Sequence, residues 1–154
     1  MTDREIGRGE SMPKGSAPSR VELILRFGNG GRFTPKDLAL LEAIRNERSI
    51  LGASRATGVS YRKCWLIVAA LNRTFETQVL ATYPGRRGGG AELTPFGERL
   101  VALYRSMERR SRTATAQAIA ELTASLDPAY EPRASVEGLE YPRLEPRPSR
   151  LRRS

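Results

Sequence analysis

Histidine is absent and cysteine occurs once, as Cys64. Without histidine, Ser-His-Asp and Cys-His nucleophilic sites are excluded. One cysteine forms no intramolecular disulfide, and Cys64 has no second Cys or His with which to share a zinc ion. Aromatic residues are few, at 6% of the chain. No run approaches the roughly 18 apolar residues that would suggest a membrane span. The N-terminal stretch is polar and lacks the apolar centre of a signal peptide. These shortages weigh against a hydrolase and a membrane protein. They favour a soluble, cytoplasmic chain with no cofactor and no enzymatic role.

What is abundant is positive charge. The 154 residues carry a formal net charge of +9, which favours a polyanionic partner. The charge is unevenly spread. Between Arg48 and Ala91 stand Arg48, Arg55, Arg62, Lys63, Arg73, Arg86 and Arg87 against Glu76 alone, a balance of +6. Charge by itself does not separate a binding face from a solvated basic face.

Residues 1–20 are rich in Gly, Ser, Pro and charge and read as an unstructured tail. A short strand is expected within Val21–Phe27, and Gly28-Asn29-Gly30-Gly31 then turns the chain. Thr34-Pro35-Lys36-Asp37 starts a helix: a capping hydroxyl, a proline at the first helical position and an acid in the first turn. Leu38, Leu41 and Ile44 give its apolar face, over about 35–47. Ser49 caps a short helix from Ile50 to Thr57, whose small residues let a neighbour approach. Gly58 ends it in the left-handed conformation, Val59 plugs the corner, and Ser60 caps a third helix from Tyr61 to Phe75. The third helix turns Cys64, Ile67 or Val68, Leu71 and Phe75 inward. Trp65 is also read as a core residue, the alternative being an indole N–H that reaches a phosphate.

A short helix, a glycine-centred turn and a longer helix make a helix-turn-helix, or else an ordinary corner between two helices. The residues that follow favour the former. Gln78–Tyr83 reads as a strand, Pro84–Gly90 as a basic glycine-rich loop and Ala91–Leu93 as the return strand, together a β-wing. Its Arg86, Arg87 and Gly88 allow close approach to phosphate, although a basic hairpin also serves plain solubility. A nucleotide cradle fits less well, because the G-x-x-x-x-G-K-[ST] pattern is missing. Thr94-Pro95 repeats the cap-then-proline start, and the pattern stays helical to about Leu126. Leu100, Leu103, Tyr104 and Met107 form an apolar stripe longer than one small domain can cover, which predicts a homodimer through this helix. Residues 127–154 hold five prolines and six arginines and read as a second unstructured tail, with Arg150, Arg152 and Arg153 available for weak phosphate contacts.

The expected architecture is therefore mainly α with a small β-wing: a winged helix-turn-helix over 21–94 and a long dimerisation helix over 95–126. The candidate DNA-binding residues are Ser60, Tyr61, Arg62 and Lys63 at the start of the third helix, Ser49 and Arg55 beside it, and Arg86, Arg87 and Gly88 on the wing. Arginine suits a bidentate guanine contact, whereas phosphate contact alone would position without specifying. A transcriptional regulator is the leading reading. A nucleoid-type DNA binder and a winged-helix adaptor for proteins are the other two classes.

Several segments resemble one known family. Leu40-Leu41-Glu42-Ala43-Ile44, Ser49-Ile50, Gly58-Val59-Ser60-Tyr61-Arg62-Lys63-Cys64-Trp65, Leu71-Asn72, and Gly88-Gly89-Gly90-Ala91-x-Leu93-Thr94-x-x-Gly97 are similar to the reading head of ModE-type molybdate-responsive regulators, itself similar to that of LysR-type regulators. The resemblance spans Gly31 to about Met107. It implies a winged helix that binds double-stranded DNA, with Ser60–Lys63 at the DNA-facing helix start and Arg86 and Arg87 on the wing. It also implies dimerisation through the helix after the wing. Full-length members carry a C-terminal oxyanion-binding part built of small β-rich domains. The stretch from the long helix to Ser154 is unlike such a domain, so molybdate sensing is not expected to carry over, and any small-molecule effector is unknown.

Overall fold

The structure, a computed structural model, describes residues 17–85 and 90–131. The expected tails over 1–16 and 132–154, including Arg150, Arg152 and Arg153, fall outside the described residues. The elements run β1 (Leu25–Arg26), β2 (Arg32–Phe33), α1 (Pro35–Glu47), α2 (Ile50–Thr57), α3 (Tyr61–Thr74), β3 (Leu80–Tyr83), β4 (Gly90–Leu93) and α4 (Pro95–Ala124).

The strand expected within 21–27 narrows to Leu25–Arg26, paired antiparallel with β2 in the register Leu25↔Phe33. Gly30, at φ 88°, makes the turn between them. The Asn29 side chain accepts from Gly31 N–H at 3.0 Å and donates to the Thr74 carbonyl at 2.9 Å, tying this turn to the end of α3.

Local chemistry sets the three helices α1 to α3. Thr34 and Asp37 form a reciprocal capping box at the start of α1, with Pro35 at the first helical position. Arg48 ends α1 in the left-handed region at φ 54°. Ser49 then accepts from Gly52 N–H at 2.8 Å and starts α2. Gly58, at φ 72°, ends α2, a backbone conformation that glycine adopts without the steric cost of a Cβ. Ser60 accepts from Lys63 N–H at 3.2 Å and starts α3. Val59 is half-buried against the core, as a corner plug should be.

β3 and β4 pair antiparallel from Leu80↔Leu93 to Tyr83↔Gly90, completing a winged helix-turn-helix. Asn72 joins the wing to α3. Its side-chain oxygen accepts from Val79 N–H and Leu80 N–H at 2.9 and 3.0 Å, and its amide donates to the Leu80 carbonyl at 3.2 Å. Val79 and Leu80 are buried, so their polar groups have little access to water as a substitute. Asn72→Ala is expected to cost about 2–3 kcal/mol, the scale for stranding buried backbone groups. Urea denaturation checks this. A second tie runs from Ala91 N–H to the Arg48 carbonyl at 3.0 Å, linking β4 to the end of α1.

The core joins Leu38, Leu41 and Ile44 of α1, Ile50 and Ala53 of α2, Cys64, Val68 and Leu71 of α3, and Leu100, Val101 and Tyr104 of α4. Burial pushes the Cys64 thiol up from its ordinary value, which keeps it neutral. α4 is the expected long helix, ending at Ala124. Its apolar stripe divides. Leu100 and Tyr104 do not wait for another chain: they are buried in this one, Tyr104 completely. Tyr104 packs edge-on against Phe33 and donates to the Leu23 carbonyl at 2.7 Å. Leu103 and Met107 are exposed. The reason is angular. Residues four apart share a helix face, and the 100/104 pair is rotated from the 103/107 pair toward the hairpin and α1.

Candidate nucleic-acid interface

The inner arc of α3 packs on the core. Cys64, Val68 and Leu71 are buried, while Tyr61, Arg62, Lys63, Trp65, Leu66, Ala69, Ala70 and Arg73 face solvent. The expected reading residues Tyr61, Arg62 and Lys63 thus stand together on the first exposed turn. Ser60 lies just before them, exposed, with its oxygen committed to the cap and its hydroxyl hydrogen free to donate. Arg55 projects from α2 and is exposed. Ser49 is half-buried and serves chiefly as the α2 cap. Arg86, Arg87 and Gly88 fall outside the described residues.

Among the described residues, no ion pair neutralises the charge of this face. The ion pairs among the described residues join Arg20 to Glu22, Arg45 to Glu98, and Arg105 to Glu42 and Glu108. None of them involves Arg55, Arg62, Lys63 or Arg73. Arg45 and Arg105 instead link α1 to α4. The face therefore presents guanidinium and ammonium groups that no carboxylate of the described residues engages in an ion pair.

Trp65 corrects the sequence reading. It is not a core residue: it is 38% exposed, with its ring edge-on to Tyr61 at a centroid distance of 6.1 Å. Relative to Cys64, one residue along a helix is a rotation of about 100°, enough to carry Trp65 off the buried arc. It borders a cleft of about 440 Å³ between α3 and the wing, lined also by Ile50, Thr82, Tyr83, Pro84 and Gly90. Tyr83 is exposed and donates its hydroxyl to Glu92 across the hairpin, a bond that raises its pKa. The sequence assigns no functional role to Leu66 or Tyr83, counts Arg73 only for its charge, and offers an exposed Trp65 only as the alternative to a core one. The helical spacing of Arg62, Leu66, Ala69 and Arg73 was the available signal, since steps of four, three and four keep one line along a helix.

No protein-family model matches the chain. It is 40% identical over 101 residues to the molybdenum-pterin-binding protein MopB of Rhodobacter capsulatus, covering 65% of this chain and 37% of that protein. It is 38% identical over 80 residues to the molybdenum transport protein ModE of Azotobacter vinelandii, covering 51% and 30%. The chain resembles the ModE-type regulators. A further relative is the DNA-binding transcriptional dual regulator ModE of Escherichia coli, 35% identical over 71 residues, or 46% of this chain and 27% of that one. The chain thus spans about a third of the length of the ModE-type proteins it matches. Among solved structures, the full-length LTTR LysG of Corynebacterium glutamicum matches at 28% identity and a TM-score of 0.44, over 60% of this chain and 30% of that one. No helix of the described residues is long and apolar enough to cross a membrane.

Proposed function

We propose that this chain is the reading head of a transcriptional regulator, binding double-stranded DNA in the cytoplasm with α3 in the major groove and the wing on the backbone or in the minor groove. The observation that carries the reading is the exposed, acid-free first turn of α3, whose inner arc is buried in the core. Its similarity to ModE-type proteins, among them a DNA-binding transcriptional dual regulator, supports it. Arg62 is placed as the base reader, because a guanidinium can pair with two acceptors of guanine at once. Lys63, Arg55, Ser60 and Tyr61 position the helix on phosphates, with Ser49 at the flank. The role is binding, without catalysis and without an assigned cofactor or small-molecule effector. Fluorescence anisotropy on a labelled duplex tests it. Affinity should fall linearly in log–log form as salt rises, with a slope of several units set by the number of phosphates neutralised.

Arg86 and Arg87 belong to the backbone-binding set in this reading, with Gly88 permitting close approach. The Arg86→Ala/Arg87→Ala protein should bind all duplexes more weakly, with its salt slope reduced by about two. An unchanged slope would remove the wing from the interface.

The same reading makes the functional unit a homodimer joined through α4. With 30 residues, α4 is about 45 Å long, more than this small head can cover. Past Tyr104 its apolar positions Met107, Ala114, Ala118 and Leu122 are exposed, continuing the line begun by Leu103. Leu103 and Met107 take the role first expected of the whole stripe; Leu100 and Tyr104 support it from within the core. Leu103→Glu/Met107→Glu should sediment as a monomer while keeping the helical circular dichroism of the parent, whose mass should be that of two chains.

A further inference from the structure

Leu66 is 61% exposed, more than Tyr61, Trp65 or any other large apolar residue of α3. It contributes nothing to the core, which Cys64, Val68 and Leu71 supply from the opposite side of the helix. A rotation of about 200° separates it from Cys64, so it points straight away from the fold. Arg62 lies one turn before it and Arg73 two turns after, with exposed Ala69 between. The outermost line of α3 is therefore apolar in its middle and cationic at both ends.

The two cations make a polyanion the fitting partner for this line rather than an apolar protein surface. Leucine and alanine, however, satisfy no donor or acceptor of a base edge. One group on the floor of the major groove is apolar: the 5-methyl of thymine. Resting on the proposed DNA-binding function, we infer that Leu66 reads a thymine methyl, so that each half-site bears an A·T pair facing the middle of α3. The arginines position the helix or read bases on either side, and Leu66 discriminates thymine from the demethylated pyrimidines.

The test uses duplexes that the full chain selects from a random-sequence pool. Each thymine of a selected duplex is replaced singly by deoxyuridine, which keeps every hydrogen-bonding group and removes only the methyl. At one thymine per half-site the substitution should weaken binding about fourfold, the scale for one buried methyl group. The Leu66→Ala protein, which should melt with the parent because the side chain is exposed, should bind the thymine and uracil duplexes equally. With the parent protein, 5-methylcytosine at the same position should restore a similar factor over cytosine, an arm that needs no variant. If no thymine is sensitive, or if Leu66→Ala keeps the sensitivity, the inference is overturned while the DNA-binding function stands. A pool that yields no bound duplex overturns both.

Discussion

The Arg62→Ala/Lys63→Ala protein is expected to bind its preferred duplex at least a hundredfold more weakly than the parent. A base-reading contact is worth about 1–3 kcal/mol, and a phosphate contact adds to this and to the salt slope. Each side chain is exposed and, among the described residues, free of ion pairs, so neither supports the fold. The melting temperature should therefore stay within a few degrees of the parent's. The single variants should differ in kind. Arg62→Ala should flatten the preference at one base position, whereas Lys63→Ala should lower affinity for all sequences and reduce the salt slope by about one. Anisotropy titrations of each protein against matched and scrambled duplexes separate the two patterns. Equal loss on both duplexes for Arg62→Ala would make Arg62 a phosphate contact.

Gly97→Ala is expected to produce the largest loss of stability from a single methyl group. A Cβ at this position would stand 2.2 Å from the Val79 carbonyl oxygen and 3.2 Å from its carbon. The obstacle is backbone, and it is already fixed: that oxygen accepts from Thr94 N–H at 3.0 Å, and Thr94 in turn caps α4 by accepting from Gly97 N–H at 3.0 Å. No side chain can rotate aside. Relief requires α4 to lift from the base of the wing, disturbing Leu100, Val101 and Tyr104 behind it. A cost of about 3 kcal/mol follows from the overpacking scale. In a domain of this size that is a fall of roughly 10–20 °C in the melting temperature. Calorimetry measures it, and a variant that melts with the parent would show that α4 does not approach Val79 as described.

The features legible in the sequence are those decided within a few residues. Thr34, Ser49, Gly58 and Ser60 each act on backbone groups two to four residues away, and each stands where its chemistry places it. The bounds of α1 and α2 follow. What escaped depends on partners far along the chain. β1 and β2 have two residues each, too few to show a period. Trp65 carried a general preference of tryptophan for the interior, but its helical angle puts it beside the wing. The stripe Leu100–Met107 was visible as apolar, yet periodicity alone does not say whether a face is covered by its own chain or by another. Phe33 and the Leu23 carbonyl decide that for Tyr104. Gly97 and Asn72 were noticeable as matched positions; their reasons, a close approach and a bridge to β3, lie in tertiary contacts. Leu66 was silent because an exposed leucine acquires meaning only between Arg62 and Arg73 on a helix already known to face outward.

In the proposed function, α3 reads duplex DNA as one half of a two-fold pair. Selection of bound duplexes from a random-sequence pool tests it most directly. The expected result is an enriched consensus with two inverted half-sites whose centres lie about one helical turn, or a multiple of it, apart. Recovery of no enriched sequence, or no retention of DNA even at low salt, would contradict it.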